Sequence, residues 1–524
     1  MKFLYFLMVV LGALVPFRHA LHMFQQNRYE LARYSQWIEV NIEGGARRAA
    51  IPTAVILAVA FACVHLGTGM ILILCTVLAG VLSVWELLRE KKQVYIKPLV
   101  VTNRVKRQIL VLAILYAAIQ LVLLWAYRRL NLWLMLGMCY FGPWILIYPM
   151  GWITEPVENA IKRWYVKKTK EILDSYTGLV KIGITGSYGK TSTKNVMQTV
   201  LSQQFNSLMT PASYNTPMGI TRTIREYLKP IHEVFVCEMG ADHVGDITEL
   251  MRYVEPSIGV VTSIGPQHLQ TFKTQENIIH EKMQMIELLP KDGLGILNYD
   301  NEFIRSYKIN NPVKVVTCAV RWPQADYRAE NISFSSSGSS FDIVHGDERA
   351  HMETKLLGEL NILNILFATA AARYLGVSWA KIQRGVREMK QVEHRLEQKE
   401  INGLHFIDDA FNANPTGAAM ALSVLSMMPG KRWIVTPGMI ELSSRQEELN
   451  RAFGAEMKGR VDEVILVGRK QTEPINEGLK LSGFDLDHVR TVDTEKEAFQ
   501  ILWHDAKPQD TILLENDLPD AFNQ

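Results

Sequence analysis

Apolar stretches make up most of the first 150 residues, and they restrict what the chain can fold into more than any other feature. They cover residues 3–17, 49–88, 109–127 and 130–152. Residues 49–88 are about twice as long as one membrane-spanning helix needs to be, and Gly67 and Gly69 lie near the middle, so we expect a helical hairpin there. Residues 1–152 are therefore predicted to form roughly four or five transmembrane helices.

Basic residues beside these stretches indicate an orientation in the membrane. Lysines and arginines cluster in residues 28–48, 89–107 and 162–170. All three clusters can be cytoplasmic, as basic loops usually are, if the N-terminus lies outside. No small-x-small cleavage site follows residues 3–17, so we interpret them as an uncleaved span and not as a signal peptide. We therefore expect residues from about 171 onward to be cytoplasmic.

The overall composition argues against two other classes of protein. The chain has 56 lysines and arginines against 53 aspartates and glutamates, and this balance is not that of a nucleic-acid-binding protein. Of its five cysteines, Cys63, Cys75 and Cys139 lie in apolar runs. We therefore expect reduced thiols and not a disulfide framework.

Beyond residue 178, short β-rich runs alternate with helical patterns, which is typical of a doubly wound parallel sheet. The first runs are at 180–184, 234–237, 258–262 and 295–297, with helical patterns at 193–203 and 245–253. After a long helical region at 361–389 the alternation restarts, with runs at 404–407, 433–435, 464–467 and 511–514. We predict a basic linker (153–178), a central α/β domain (179–390) and a second, Rossmann-like α/β domain (391–524).

A glycine-rich loop lies between the first β-rich run and the helical pattern that follows it. Gly186 and Gly189 allow successive backbone N–H groups and the helix N-terminus to face phosphates. We expect Lys190 to neutralise the β- and γ-phosphates and the Thr191 hydroxyl to bind Mg²⁺. The predicted ligand is ATP, held by Thr185, Gly186, Ser187, Tyr188, Gly189, Lys190, Thr191 and Ser192.

Two further polar residues, Glu238 and His268, follow predicted strands. Ligands of open α/β sheets bind at the carboxyl ends of the strands, and a carboxylate there suits Mg²⁺. Both residues are therefore candidate metal ligands beside the phosphate loop. Lys282 lies on a predicted helix, and its own surroundings indicate only a solvated lysine.

The motifs occur in an order that resembles the Mur ligase family, the ATP-dependent enzymes that build the peptidoglycan stem peptide in bacteria. The resemblance covers about residues 180 to 442. It rests on Thr-Gly-x-x-Gly-Lys-Thr at 185–191, Glu-Met-Gly at 238–240, the segments 262–269 and 358–364, His-Arg at 394–395 and Asp-Asp-Ala-Phe-Asn-Ala-Asn-Pro at 408–415. The last of these most resembles the subfamily that adds D-alanyl-D-alanine.

The resemblance implies roles that the residues alone do not. It implies that Lys282 is carbamylated and holds a second Mg²⁺, and that Lys190, His268 and Lys282 are the catalytic residues. Nucleotide contacts are implied for Arg395 at a phosphate, Asp409 at the ribose, Asn298 at the adenine edge, and Asn361. Acceptor or interdomain contacts are implied for Asn215, Asn412, Asn414 and Pro415.

Three departures from the family concern the substrates and the nucleotide. Membrane spans replace the N-terminal domain that binds a UDP-sugar, so the carboxylate donor is either UDP-linked or lipid-linked, and the spans either contact membrane lipid and donor or only anchor the enzyme. Leu360 replaces a histidine. Residues 513–520 are acidic where the closest subfamily has a Lys-Gly-Ser-Arg-like segment, which leaves the identity of the amine open.

The sequence thus predicts an ATP- and Mg²⁺-dependent amide ligase, anchored as a multi-pass protein in the bacterial cell membrane with cytoplasmic ligase domains. The reaction is expected to activate a muropeptide-like carboxylate as an acyl phosphate, which an amino acid or dipeptide amine then attacks. Addition of D-alanyl-D-alanine to UDP-MurNAc-tripeptide is the nearest parallel. The alternatives are a ligase for a lipid-linked or other envelope polymer, an ATP-driven transport or regulatory subunit, and a catalytically inactive scaffold.

Overall fold

The structure, a computed structural model, describes residues 1–40, 42–63, 65–91, 98–126, 129–267, 269–335, 338–391, 394–410, 415–440, 442 and 445–516. It divides into two compact units, Met1–Trp164 and Tyr165–Gln524.

The first unit is helical. Its helices are α1 Lys2–Gly12, α2 Leu14–Gln26, α3 Leu31–Val40, α4 Ile42–Ala62, α5 Thr68–Lys91, α6 Asn103–Ala126 and α7 Arg129–Asp174, the last of which continues into the second unit. Among the described residues, four helical stretches are long and apolar enough to cross a membrane: Lys2–Gln26, Thr68–Lys91, Asn103–Ala126 and Leu130–Asp174. The apolar part of α4, Ala50–Ala62, is shorter than a bilayer requires.

Two of these helices run further than the apolar stretches from which they were predicted. The first continues past Arg18 to Gln26, and the Arg18 guanidinium lies 2.6 Å from a Glu90 carboxylate oxygen on α5. Helix α7 continues through most of the predicted linker to Asp174. The bounds of the predicted linker and domains stay a prediction.

The second unit begins with a sheet of nine strands within the described residues. The strands are β1 Val180–Thr185, β2 Ser207–Met209, β3 Val234–Glu238, β4 Ile258–Val261, β5 Leu294–Asn298, β6 Lys314–Ala319, β7 Tyr327–Ser335, β8 Gly338–His345 and β9 Glu348–Thr354. Their order is β2-β3-β1-β4-β5-β6-β7-β8-β9, parallel as far as β7 and antiparallel beyond it. The parallel part was predicted, whereas the antiparallel extension was not.

Helices surround this sheet and complete its core. They are α8 Lys190–Leu201, α9 Pro217–Tyr227, α10 Asp246–Val254, α11 Leu269–Phe272, α12 Gln275–Glu287, α13 Glu302–Ser306, α14 Glu359–Tyr374 and α15 Trp379–Arg387. Strands β3 and β4 are buried at every residue, which explains their unbroken apolar runs. The long helical region predicted at 361–389 is two helices, because Gly376 adopts a left-handed φ of +79° between them.

A second sheet has six strands within the described part of the chain. The strands are β10 Glu397–Ile401, β11 Leu404–Asp409, β12 Arg432–Thr436, β13 Glu463–Val467, β14 Val489–Val492 and β15 Thr511–Glu515. Their order is β10-β11-β15-β12-β13-β14, and only β10 is antiparallel to its neighbour. The helices are α16 Pro415–Ser426, α17 Gln446–Glu456, α18 Glu473–Ser482 and α19 Glu495–Asp505. The predicted α/β class is confirmed in both sheets.

Candidate nucleotide and metal site

The glycine-rich loop joins β1 to α8, as the sequence predicted. Gly186 has a φ of +151°, and a Cβ atom there would lie 2.1 Å from the Thr262 Oγ1 atom. Gly189 has a φ of +83° and directly precedes α8. The loop therefore requires glycine at both positions, one for close approach and both for the backbone conformation.

The segment that follows β4 fixes the loop. Ser263 accepts a hydrogen bond at its carbonyl from the Ser187 N–H at 2.7 Å, and its hydroxyl accepts one from the Tyr188 N–H at 3.0 Å. The Ser187 hydroxyl donates to the Gly265 carbonyl at 3.1 Å. Thr185 ends β1 and donates its hydroxyl to the Met239 carbonyl at 3.0 Å. The loop is thus held in shape by protein contacts alone.

Lys190 lies across this loop. Its Nζ atom donates to the Gly186 carbonyl at 2.6 Å and to the Ser187 carbonyl at 3.2 Å. The pKa of Lys190 is lowered to about 8, chiefly by burial; the nearby Glu238 charge opposes the shift and Arg395 adds to it. A bound anion at the loop would raise this pKa and favour the charged form further.

Glu238 ends β3 next to the loop and is the centre of a polar cluster. One carboxylate oxygen accepts hydrogen bonds from the Thr191 hydroxyl at 3.2 Å and from the Asn215 side-chain amide at 3.1 Å. The other lies 3.0 Å from the Lys194 Nζ atom, and both of these side chains are almost fully buried. The structure thus brings together three of the predicted site residues, on α8, on β3 and in the turn before α9.

Lys194 was not singled out from the sequence. The available signal was its position one helical turn after Lys190, on the same face of α8. Burial disfavours the ionised Glu238, but Lys194 and Lys190 together outweigh it, so the pKa of Glu238 lies below its ordinary value. Lys194 therefore keeps this carboxylate charged.

The arrangement fits a magnesium ion. The Thr191 hydroxyl and an ionised Glu238 carboxylate provide two oxygens within 3.2 Å of each other at the phosphate loop. Mg²⁺ takes oxygen ligands and is commonly bound by one or two protein groups together with phosphates. His268, the other predicted metal ligand, lies outside the described residues, as do Asn412 and Asn414.

Lys282 is fully buried on α12. Its Nζ atom donates to the Ala241 carbonyl at 3.3 Å and lies 5.8 Å from the centre of the Phe272 ring. Burial, and then the charge of Lys190, place the pKa of Lys282 well below its ordinary value, although Glu281 and Asp246 act in the opposite direction. Burial thus favours the neutral amine of Lys282, the form that reacts with carbon dioxide.

A cavity of about 780 Å³ opens beside the loop, a size suited to a nucleotide. Tyr188, Gly189, Asn298, Leu360 and Pro415 are among the residues that line it. The Asn298 side chain donates to the Thr262 carbonyl at 2.7 Å and accepts from the Asp300 N–H at 2.9 Å, so its plane is fixed.

Helix α14 closes one side of this cavity. Asn361 donates to the Leu357 carbonyl at 2.8 Å, and Asn364 accepts from the Thr193 hydroxyl at 2.7 Å. The second contact joins α14 to α8 just beyond the loop. Ser192 lies in the first turn of α8, between Thr191 and Thr193.

Arg395 reaches this site from the second sheet. The residues on either side of it are fastened to β11: the His394 ring contacts Asp408 at 2.8 Å, and the Leu396 N–H donates to Asp409 at 3.0 Å. Burial lowers the pKa of Arg395, whereas the charges of Asp409, Glu238 and Glu515 raise it. Arg395 therefore interacts electrostatically with acidic groups of both sheets.

His394, Glu397 and Asp408 lie close enough together to resemble a second metal site. However, the Lys399 Nζ atom lies 2.9 Å from Glu397 and 2.8 Å from Asp408. Lys399 thus already occupies this cluster and offsets part of its negative charge. The contacts of the cluster hold the segment that carries Arg395.

Comparison with known proteins agrees with this geometry. Residues 184–372 match the Mur ligase middle domain, and residues 394–515 match the Mur ligase glutamate ligase domain. A UDP-N-acetylmuramoyl-tripeptide--D-alanyl-D-alanine ligase of Bacillus subtilis is 30% identical over 340 residues, which cover 63% of this chain and 72% of the relative.

Solved structures share the fold. MurF from Acinetobacter baumannii superposes with a TM-score of 0.62 at 24% identity, over 69% of this chain and 78% of that one. MurF ligase from Thermotoga maritima in complex with ADP gives a TM-score of 0.62 at 22% identity, over 69% and 81% of the two chains. The resemblance inferred from the motifs is confirmed, and the chain belongs to the Mur ligase family of ATP-dependent ligases.

Proposed function

We propose that this protein is a membrane-anchored ligase that joins the carboxylate of a UDP-MurNAc-tripeptide-like donor to D-alanyl-D-alanine, using ATP. The observation that carries the proposal is the cluster of Lys190, Thr191 and Glu238 at the phosphate loop, with Arg395 reaching it from the second sheet. The names of the most similar relatives support the choice of substrates.

The residues divide the chemistry between them. Lys190 turns from the loop carbonyls to the phosphate oxygens and balances their charge as the donor carboxylate attacks the γ-phosphorus and ADP leaves. Thr191 and Glu238 would hold a Mg²⁺ ion, which would supply positive charge to the same oxygens. A carbamate on Lys282 would hold a second ion. These roles, and those of His268, Asn298, Asn361 and Asp409, rest on the family resemblance.

The second step needs a dry site. The acyl phosphate reacts with water as well as with an amine, so the amine succeeds only where water is excluded. Arg395 is half-buried, interacts electrostatically with acidic groups of the two sheets, and stabilises negative charge on the departing phosphate. Contacts of Asn215 and Pro415 with the donor and acceptor are implied by the family resemblance.

We infer that the helical unit anchors the enzyme in the bacterial cell membrane, with both sheets in the cytoplasm. The support is the length and apolar composition of four helical stretches, together with the basic residues beside them. Such an anchor keeps the active site at the membrane surface, where a lipid-linked donor is also accessible.

The test is acceptor-dependent ADP release by the detergent-solubilised full-length protein. We expect ADP only when UDP-MurNAc-tripeptide and D-alanyl-D-alanine are both present, and none from Lys190→Ala. ADP release that needs neither substrate would contradict a ligase and favour a nucleotide-driven transport or regulatory role. Release with a lipid-linked tripeptide but not with the UDP-linked form would correct the donor and keep the reaction.

A further inference from the structure

Glu515 is a buried carboxyl group that lacks a hydrogen-bond partner among the described residues. It is the last residue of β15, it is completely buried, and neither of its carboxyl oxygens has a hydrogen-bond partner among the described residues. Burying a carboxyl group without a hydrogen bond or an opposite charge is costly. Such a group near the active site indicates that a bound ligand provides the missing hydrogen bonds.

The neighbours of Glu515 define what that ligand must carry. Asp409 is its register partner on β11, so the two side chains share one face at the carboxyl edge of the sheet. Among the described residues, Arg395 is the cation that acts on Glu515. Arg395 also acts on Asp409 and Glu238. Glu515 and Asp409 therefore share this counter-charge with a third carboxylate.

The backbone after Glu515 fixes this position. Asn516 adopts a left-handed φ of +69° and ends the strand. Its side chain donates to the Gly438 carbonyl, and its N–H donates to the Asp409 carbonyl at 3.4 Å. Glu515 therefore cannot turn away to solvent without breaking the end of β15.

The location is next to the reacting groups. Arg395 acts electrostatically on Glu515 and also on Lys190 of the phosphate loop. Glu515 and the phosphate loop thus share Arg395 as a charged neighbour. In parallel α/β sheets, ligands bind at this carboxyl edge.

We propose that Glu515 binds the ammonium group of the acceptor amine and removes one of its protons before the amine attacks the acyl phosphate. This assignment rests on the proposed ligase function and names how its second substrate is bound. It also accounts for an acidic residue where the closest subfamily has a basic segment. Glu515 would therefore recognise the acceptor by its amine group.

The protons balance. The acceptor R–NH₃⁺ transfers one proton to the Glu515 carboxylate and becomes R–NH₂, which forms the C–N bond as the C–O bond to phosphate breaks. The second nitrogen proton leaves with the phosphate, which departs as HPO₄²⁻, and Glu515 returns its proton to water. Burial and Asp409 raise the pKa of Glu515 while Arg395 opposes them, and a raised pKa suits a base that accepts a proton from an ammonium group.

The experiment separates the two half-reactions in full-length protein. Movement of ¹⁸O from the β,γ-bridge of ATP to non-bridging positions needs only ATP and the UDP-MurNAc-tripeptide donor. Acceptor-dependent ADP release also needs D-alanyl-D-alanine. We expect Glu515→Gln to keep the isotope exchange within about twofold of wild type and to lose about 100-fold or more in acceptor-dependent release at pH 7.

The pH profile and a matched variant identify the cause. Without the base, only free amine reacts, so release by Glu515→Gln rises about tenfold per pH unit up to the amine pKa near 8, while wild type rises less steeply. Glu463→Gln is the control, because Glu463 is also a buried glutamate of the second sheet but lies at the start of β13 with Lys431 as its partner. We expect it to leave both half-reactions unchanged.

Other outcomes overturn one proposal without the other. An unchanged acceptor KM and pH profile in Glu515→Gln, with normal isotope exchange, would remove the role of Glu515 and leave the ligase intact. If wild type shows no isotope exchange, the proposed donor is wrong, and calorimetry with ADP and Mg²⁺ tests Glu515 directly. Wild type is expected to bind D-alanyl-D-alanine at least tenfold more tightly than its N-acetyl form, whereas equal binding or no binding of the free amine would overturn the assignment.

Discussion

At the scale of single residues, the buried pair of Lys194 and Glu238 is the contact on which the site most depends. Replacing Lys194 by methionine leaves a buried carboxylate with one fewer compensating charge, which costs about 3–5 kcal/mol. We expect a lower melting temperature for the nucleotide-free protein. The pKa of Glu238 is depressed, so this contribution is present above its ordinary pKa and is lost as the pH falls through the folded value.

Two comparisons isolate that effect. Lys168→Met removes an exposed ion pair with Glu171 and should change stability by less than about 1 kcal/mol. Adding Glu238→Gln to Lys194→Met should recover part of the lost stability, because no unpaired carboxylate remains. Equal destabilisation by the single and double variants would show that packing, and not charge, is responsible.

Burial of Lys282 destabilises the fold, whereas the Lys194–Glu238 pair stabilises it, although stability rises with pH in both cases. Its folded pKa lies well below its ordinary value, so between these two values the unfolded chain binds more protons, and stability rises with pH. Lys282→Met removes this dependence and should make the metal-free protein more stable at pH 7 by about 1–3 kcal/mol. Thermal unfolding between pH 6 and about pH 10 measures it.

Replacing Lys282 should lower ligase activity, although it raises stability. Lys282→Ala is expected to lose ligase activity, with partial recovery when short carboxylic acids are added in place of the carbamate. Full activity of the untreated variant would contradict a metal-binding carbamate at this position.

At the scale of elements, the phosphate loop tolerates little change in sequence. Gly186→Ala would place a Cβ atom 2.1 Å from Thr262 and force an unfavourable φ, so we expect loss of nucleotide binding together with lower stability. Gly178→Ala is the control, since no atom lies within 4 Å of its Cβ position. Binding of fluorescent ATP compares them, and tight binding by Gly186→Ala would mean that the loop can rearrange.

The same scale shows which elements a sequence can predict. Strands β3 and β4 are apolar runs because they are buried at every residue, whereas β1 is interrupted by the half-buried Lys181. The polar residue that ends or follows each strand lies at the ligand-binding edge. Strands β7 to β9 were missed. In β9 buried and exposed residues alternate, and the strand begins with the charged residues Glu348 and Arg349. It has no apolar run that would predict a strand, which becomes recognisable from its antiparallel pairing with β8.

At the scale of the whole molecule, local motifs predicted the site's members but not its contacts. Lys190 and Thr191 belong to one motif and Glu238 to another, and their meeting follows from the parallel pairing of β1 with β3. Lys194 and Glu515 carry no motif, and their importance comes from burial and charge that arise only on folding. Arg395 was recognisable by resemblance, but the cluster of His394, Asp408 and Lys399 that positions its segment was not.

The topology of the helical unit is a prediction for the entire chain. The basic clusters at 28–48 and 89–107 can both be cytoplasmic only if α4 crosses the membrane, and its apolar part, Ala50–Ala62, is short for that. An N-terminus outside the cell therefore requires α4 to cross with its charged end near the cytoplasmic surface. We expect Lys2→Cys, in a chain without its five native cysteines, to react with a membrane-impermeant thiol reagent in intact cells.

The position of the ligase region gives the matching control. Lys168→Cys should react only after the cells are made permeable, because residues from about 171 onward are expected in the cytoplasm. If Lys2→Cys also needs permeable cells, then α4 does not cross and the residues at 28–48 lie outside, against the usual placement of basic loops. If Lys168→Cys reacts in intact cells, the phosphate loop would face a compartment without ATP, and the anchoring proposal would fail while the family assignment stands.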